Sequence, residues 1–242
     1  VISSSGNAAI SASRYAAAAG IHLFVFVSEQ TPLGKLAALT TENTTLILSS
    51  RPLRLAKYAA AHFDLPDLRP SVDGAAAIGF RSLGFELFEQ QPEVANIFSF
   101  VTSGASLRGI HQAYEKLVAL GAVDKIPKLF GVYSTGKLAG GLSGGGADRL
   151  ASIQEICAQS GGALVEITDT EIESARTALT EQGIETSDES VASYAAAEKM
   201  KPVGQTVVVL TGKKWANVEV DLSKFQRAET FAEVDQLIQK YV

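Results

Sequence analysis

Short apolar runs, each about the length of a strand, alternate along this chain with alanine-rich or amphipathic segments the length of a helix, and hairpin signals are few. Ile21–Val27, Thr44–Leu48, Ile97–Val101, Leu129–Tyr133, Ala163–Ile167 and Thr206–Leu210 read as strands, and Val1-Ile2 as the stub of another. Between them, Ala8–Ala19, Pro32–Leu39, Arg51–Phe63, Leu83–Gln90, Leu107–Leu120, Leu150–Gln159, Asp169–Gln182, Glu189–Met200 and Ala228–Tyr241 carry helical patterns. Strands this apolar on both faces belong in a parallel sheet covered by helices. The expected class is therefore α/β.

Pro66, Asp67 and Pro70 make Asp64–Ser71 the best linker. The expectation is a smaller α/β domain over 1–72, incomplete at its N-terminus, and a larger α/β domain over 73–242. Thr135–Ala147 holds six glycines and reads as a surface loop. The chain opens within a strand and without Met, which predicts further residues upstream.

Composition narrows the partners. With 46% hydrophobic and 19% charged residues, the 242-residue chain can bury a substantial core. A net charge of −5 with no basic cluster leaves no electrostatic footprint for nucleic acid or an anionic membrane surface. The apolar runs are far shorter than the roughly 18 residues of a membrane span. Cys157 stands alone, so no internal disulfide forms, and a reducing cytoplasm is the expected compartment. His22, His62 and His111 are too scattered to suggest a metal site.

Three Gly/Ser/Thr turns follow predicted strands: Ser3-Ser4-Ser5-Gly6-Asn7, Thr102–Gly109 and Thr211-Gly212. In open α/β sheets such turns expose backbone N–H groups and helix N-termini to an anion. In the second, Gly104 permits close backbone approach, while Ser103, Ser106 and the first amides of the next helix can hold a phosphate. It is no Walker loop, because Val207 stands where the glycine upstream of Gly212-Lys213 is required, and no G-x-G-x-x-G is present there. Gly141-Leu142-Ser143-Gly144-Gly145 satisfies G-x-S-x-G, yet no strand leads into it and no His follows Ser143. Asp169, Glu171, Glu173, Asp188 and Glu189 fall in first helical turns, where acids suit the macrodipole.

These residues, in this order, carry a family likeness. Ser3–Ser11, Tyr15–Ile21, Pro32–Leu36, Leu83–Leu87, Ser103–Gly109, Gly183-Ile184, Ser187–Ala192 and Thr206–Gly212 resemble the pyridoxal-phosphate enzymes of the tryptophan-synthase-β fold type, and within it threonine synthase. The resemblance implies PLP fold type II, with two open, mostly parallel twisted sheets covered by helices, here N-terminally truncated. It implies pyridoxal 5′-phosphate as cofactor and a small amino-acid substrate. The reaction it implies is conversion of O-phospho-L-homoserine and water to L-threonine and phosphate, by a homodimer. A serine/threonine dehydratase of the same fold, or a non-catalytic paralogue that binds PLP or phosphate, would keep the same turns.

Carried over by the resemblance, Asn7 hydrogen-bonds the cofactor's 3′ oxygen, and Ser4, Ser5 and Gly6 receive the substrate carboxylate. Ser103, Gly104, Ala105, Ser106 and Leu107 bind the cofactor phosphate, and the Thr211 hydroxyl faces the pyridine nitrogen. Two departures stand out. Ala105 replaces a common glycine, so its methyl is expected to crowd the phosphate. The Schiff-base lysine lies in this family upstream of the Ser-Ser-Gly-Asn turn, where this sequence starts, so no catalytic residue is assigned. Lys35, Arg81 and Arg108 are the candidate cations for the substrate phosphate, each also readable as a solvated or structural charge.

Overall fold

A computed structural model describes residues 1–140, 146–213, 215 and 218–241. The chain forms two compact units, Val1–Asp73 with Trp215–Val242, and Gly74–Lys214. The expectation that 73–242 stay together is corrected at the C-terminus, where the chain returns to the first unit.

The first unit is built on β1 (Ile2–Ser3), α1 (Asn7–Ala18), β2 (Leu23–Ser28), α2 (Leu33–Leu39), β3 (Thr44–Ser49) and α3 (Pro52–His62). Its four-stranded sheet has the order β1-β2-β3-β8, all parallel, and β8 (Gln226–Arg227) comes from the far end of the sequence. The alternation of β2 sends Phe24 and Phe26 to the face covered by α3 and α10 (Phe231–Ile238), and Leu23, Val25 and Val27 to the face covered by α1 and α2.

The second unit holds α4 (Gly74–Gly79), α5 (Arg81–Gln90), β4 (Asn96–Phe100), α6 (Ala105–Ala119), β5 (Lys128–Tyr133), α7 (Gly146–Gln159), β6 (Ala163–Glu166), α8 (Asp169–Glu181), α9 (Asp188–Met200) and β7 (Thr206–Val209). Its sheet is again parallel throughout, with order β6-β5-β4-β7. Phe98 and Phe100 of β4, with Phe130 and Val132 of β5, pack beneath α8 and α9. The next residues along the same strands, Ile97, Val101 and Leu129, pack against α5, α6 and α7. Burial on both faces is what leaves these strands without polar alternation.

The α/β expectation of two parallel sheets under helices holds. Differences cluster where local pattern is weak. The terminal helix is Phe231–Ile238, shorter at both ends than expected; Thr230 sets its start in a capping box with Glu233. Helix α4 and strand β8 carry no local signal in the sequence: one is a Gly/Ala segment, and the other is two residues that pair only once β3 is in place. The glycine-rich stretch ends at Gly146, where α7 starts, and the G-x-S-x-G segment 141–145 lies outside the described residues. Among the described residues no helix is long and apolar enough to cross a membrane.

Helices α4 and α5 close onto α6 at Gly109. A Cβ there would lie 2.4 Å from Phe80 Cβ and 2.6 Å from the Ala77 carbonyl oxygen. Gly109→Ala is expected to cost about 1–3 kcal/mol by overpacking, read as a lower urea midpoint at unchanged slope.

Candidate functional site

A parallel sheet puts the C-terminal ends of all its strands on one edge. In the second unit the chain runs outward from β4 to β5 to β6 with α6 and α7 on one face. It then returns through α8 and α9 on the other face to place β7 on the far side of β4. The strand order thus reverses between β4 and β7, the position at which open α/β sheets receive ligands. The Ser103-Gly104 turn follows β4, and Thr211-Gly212 follows β7. The pair Ser99 and Val209 is in register, and two residues beyond it on each strand come Val101 and Thr211. Two of the three turns singled out in the sequence therefore leave neighbouring strands at the reversal.

The geometry at Gly104 suits an anion. Its φ of 76° is left-handed, a conformation that L side chains rarely adopt, and a Cβ there would sit 2.7 Å from Ile153 Cδ1. Gly104 also heads α6, a 15-residue helix with no side-chain cap and no acid in its first turn. By contrast, α8 and α9 are capped by Thr168 and Ser187 and carry acids in their first turns. The positive end of α6 is left open to a negative ligand. Ser103 Oγ accepts from the Ala105 amide at 3.3 Å, which leaves its own proton available to an anion. Ala105, which the sequence expects to crowd the phosphate, is buried, at 5% exposure.

The loops beside this turn are held by carboxylates. Asp169 accepts from the backbone N–H of Lys137, at 2.9 and 3.1 Å to its two oxygens, and of Leu138 at 3.2 Å. Glu189 accepts from the Gly140 amide at 3.4 Å. The amides of Lys137, then Leu138, hold the Asp169 carboxyl below its ordinary value of 3.8. In the sequence both acids suit only the macrodipole, because loop–helix contacts across 32 and 49 residues leave no local pattern.

The first unit carries the other turn. Gly6 caps α1 in an extended conformation, with no side-chain cap and no acid in the first turn. The Gly6 N–H donates to Ser4 Oγ at 3.2 Å, Ser4 and Ser5 are half-buried, and Asn7 is exposed. A cavity of about 470 Å³ lies at the opposite end of this sheet, among Thr44, Lys224, Lys240 and Tyr241, and includes none of the turn residues.

The remaining candidates are engaged elsewhere. Arg81 Nε donates to Gln112 Oε1 at 2.8 Å and Arg108 Nη2 to Ser152 Oγ at 3.0 Å, which favours structural roles; Lys35 is half-buried on α2. His22 pairs with Thr45 at 2.9 Å and stacks on Tyr241. His111 is buried beside Glu115, with Nδ1 3.4 Å from Oε2. The described residues contain no cluster of three or more His, Cys, Asp or Glu able to hold a metal. Cys157 is buried, which pushes its thiol up to about 11.

A parallel α/β unit with an uncapped, glycine-headed helix N-terminus at its strand reversal is an arrangement suited to an anion. The chain belongs to the family described as pyridoxal-phosphate dependent enzymes, whose model matches residues 1–212. Threonine synthases of Mycobacterium tuberculosis and Mycobacterium bovis are 27% identical to it over 139 residues, which cover 55% of this chain and 39% of theirs. The matched segment is thus less than half the length of those curated relatives. Maize serine racemase has the same fold, with a TM-score of 0.70 at 17% identity over 90% of this chain and 73% of that one. So does a hydrogen sulfide-producing enzyme from Fusobacterium nucleatum, with a TM-score of 0.69 at 15% identity over 88% of this chain and 76% of that one. The donor set at Ser103–Leu107 fits the phosphate of the family's cofactor: hydroxyls, amides at a helix start without a side-chain cap from Gly104, and no acid in the first turn.

Since Asp169 is depressed in the folded state, its contribution is present above the ordinary carboxylate value and is lost as pH falls through the lower, folded one. Amide protection at Lys137 and Leu138 is expected to be full at neutral pH and to fall below about pH 4. Asp169→Ala should lose it at every pH, as read by hydrogen exchange.

Proposed function

We propose that this chain supplies the cofactor-phosphate and substrate-carboxylate turns of a threonine-synthase-like lyase that converts O-phospho-L-homoserine and water to L-threonine and phosphate. The observation that carries the phosphate assignment is the open N-terminus of α6 behind left-handed Gly104. The choice of reaction is supported by the 27% identity to threonine synthases.

Ser103 and Ser106 donate hydroxyl protons to the cofactor phosphate, and the backbone N–H groups of the first turn of α6, through Leu107, add the helix's positive end. Ala105 contributes backbone only. Thr211 presents a neutral hydroxyl to the pyridine nitrogen, which leaves that nitrogen largely unprotonated. Asn7 meets the 3′ oxygen, while Ser4, Ser5 and Gly6 receive the substrate carboxylate at the start of α1. Pyridoxal phosphate, when bound, supplies the electron sink for the substrate's α carbon. Loss of phosphate from Cγ and addition of water at Cβ also require an amine to move protons, and no residue of this chain is assigned that role. The 242 residues alone therefore bind without turnover. The reading includes a homodimer in a reducing cytoplasm, the latter supported by a single buried thiol.

Binding can be separated from chemistry with 4′-deoxypyridoxine 5′-phosphate, which lacks the aldehyde and cannot react with lysines. The protein is expected to bind it saturably. Gly104→Ala should weaken binding at least about tenfold, through the left-handed backbone and the contact with Ile153. In calorimetry with that ligand present, O-phospho-L-homoserine should bind more tightly than L-serine or L-threonine. With pyridoxal phosphate and borohydride, no single lysine should become stoichiometrically labelled. A unique pyridoxyl-lysine would overturn the claim that this chain lacks the Schiff-base residue, and tightest binding of serine or threonine would replace the synthase by a dehydratase.

A further inference from the structure

Gly212 is gripped at both of its backbone polar groups. The Thr186 hydroxyl donates to its carbonyl oxygen at 2.5 Å, and its N–H donates to Ser190 Oγ at 3.2 Å. Both side chains are buried, Ser190 completely so. Ser190 is in turn tied to Ser187, the N-cap of α9, with the two hydroxyl oxygens 3.3 Å apart. The anchor stands on a rigid base, because Val191, Ala192, Ala195 and Ala196 of α9 pack against Phe98 and Phe100 beneath β4.

A residue with its N–H and its C=O both fixed by buried partners holds the peptide planes on either side of it. The plane between Thr211 and Gly212 is one of these. Rotating Thr211 about its ψ angle turns that plane and breaks the hydrogen bond to Ser190, leaving a polar group unsatisfied. We propose that Thr186 and Ser190 are positioning residues for Thr211, orienting its hydroxyl toward the ring nitrogen of the bound cofactor. The inference rests on the reading of Thr211 made above and assigns the device that makes that hydroxyl directional. It also accounts for two buried hydroxyls spent on the backbone of a turn 22 and 26 residues away. Neither hydroxyl titrates near neutrality, so the clamp holds a neutral partner on the ring nitrogen without a charge of its own.

The test uses the 242-residue protein and two probes. 4′-Deoxypyridoxine 5′-phosphate carries ring nitrogen and phosphate, whereas inorganic phosphate carries only the anion. Thr186→Val and Ser190→Ala each remove one arm of the clamp, so early melting of one leaves the other to decide, and Thr186→Ser restores a hydroxyl. Both removals are expected to weaken the pyridine ligand about tenfold, the scale of one buried hydrogen bond, and to shift its bound absorption maximum. Phosphate affinity should be unchanged, and Thr186→Ser should bind as wild type. Wild-type affinity and spectrum in both removal variants overturn the inference and leave the phosphate site standing. Equal weakening of both probes also overturns it, because the pair then supports the fold rather than Thr211. If the wild-type protein fails to bind the pyridine ligand, the functional reading falls and this inference with it.

Discussion

Parallel strand pairing is the constraint on which everything else depends. Parallel neighbours need a crossover between them, so each strand is followed by a helix, and all strand ends of one polarity share an edge. In the second unit this gathers the turns after β4, β5 and β7 on one edge although they are far apart in sequence. The pairing survives because both faces are covered, with Phe98 stacked on Phe130 at 4.3 Å on one side and Ile97, Val101 and Leu129 buried on the other.

On that edge, the helix ends at α6, α8 and α9 differ in how they are satisfied. Thr168 and Glu171 close a capping box at α8, and Ser187 caps α9. Each cap partners one first-turn amide, and acids in the same turn offset the positive end. Helix α6 has no side-chain cap at left-handed Gly104 and no acid in its first turn. Helix α1 repeats the arrangement behind Gly6 in the first unit. The family match over residues 1–212 covers both helix starts.

Around the Ser103-Gly104 turn the structure spends polar side chains on backbone. Asp169 and Glu189 hold the loop after β5, and Thr186 and Ser190 hold the turn after β7. A site that must present neutral hydroxyls and amides at fixed positions needs such supports, because short loops are otherwise its most mobile part. The supports come from the face opposite α6, so the central strand is braced from both sides.

The sequence by itself determined the α/β class, most strand and helix positions, and the turns around Ser4, Ser103 and Thr211. Each depends on periodicity or turn chemistry within a few residues, where local sterics and burial act directly. Only the tertiary structure decided that residues after Trp215 rejoin the first unit, where Ser50 donates to Glu229 across 179 residues. It also engaged Arg81 and Arg108 with neighbouring side chains, and made Thr186 and Ser190 the grip on Gly212. Those contacts exist only after long loops have closed around a packed sheet, and no pattern in neighbouring residues records which distant group will be there to meet them.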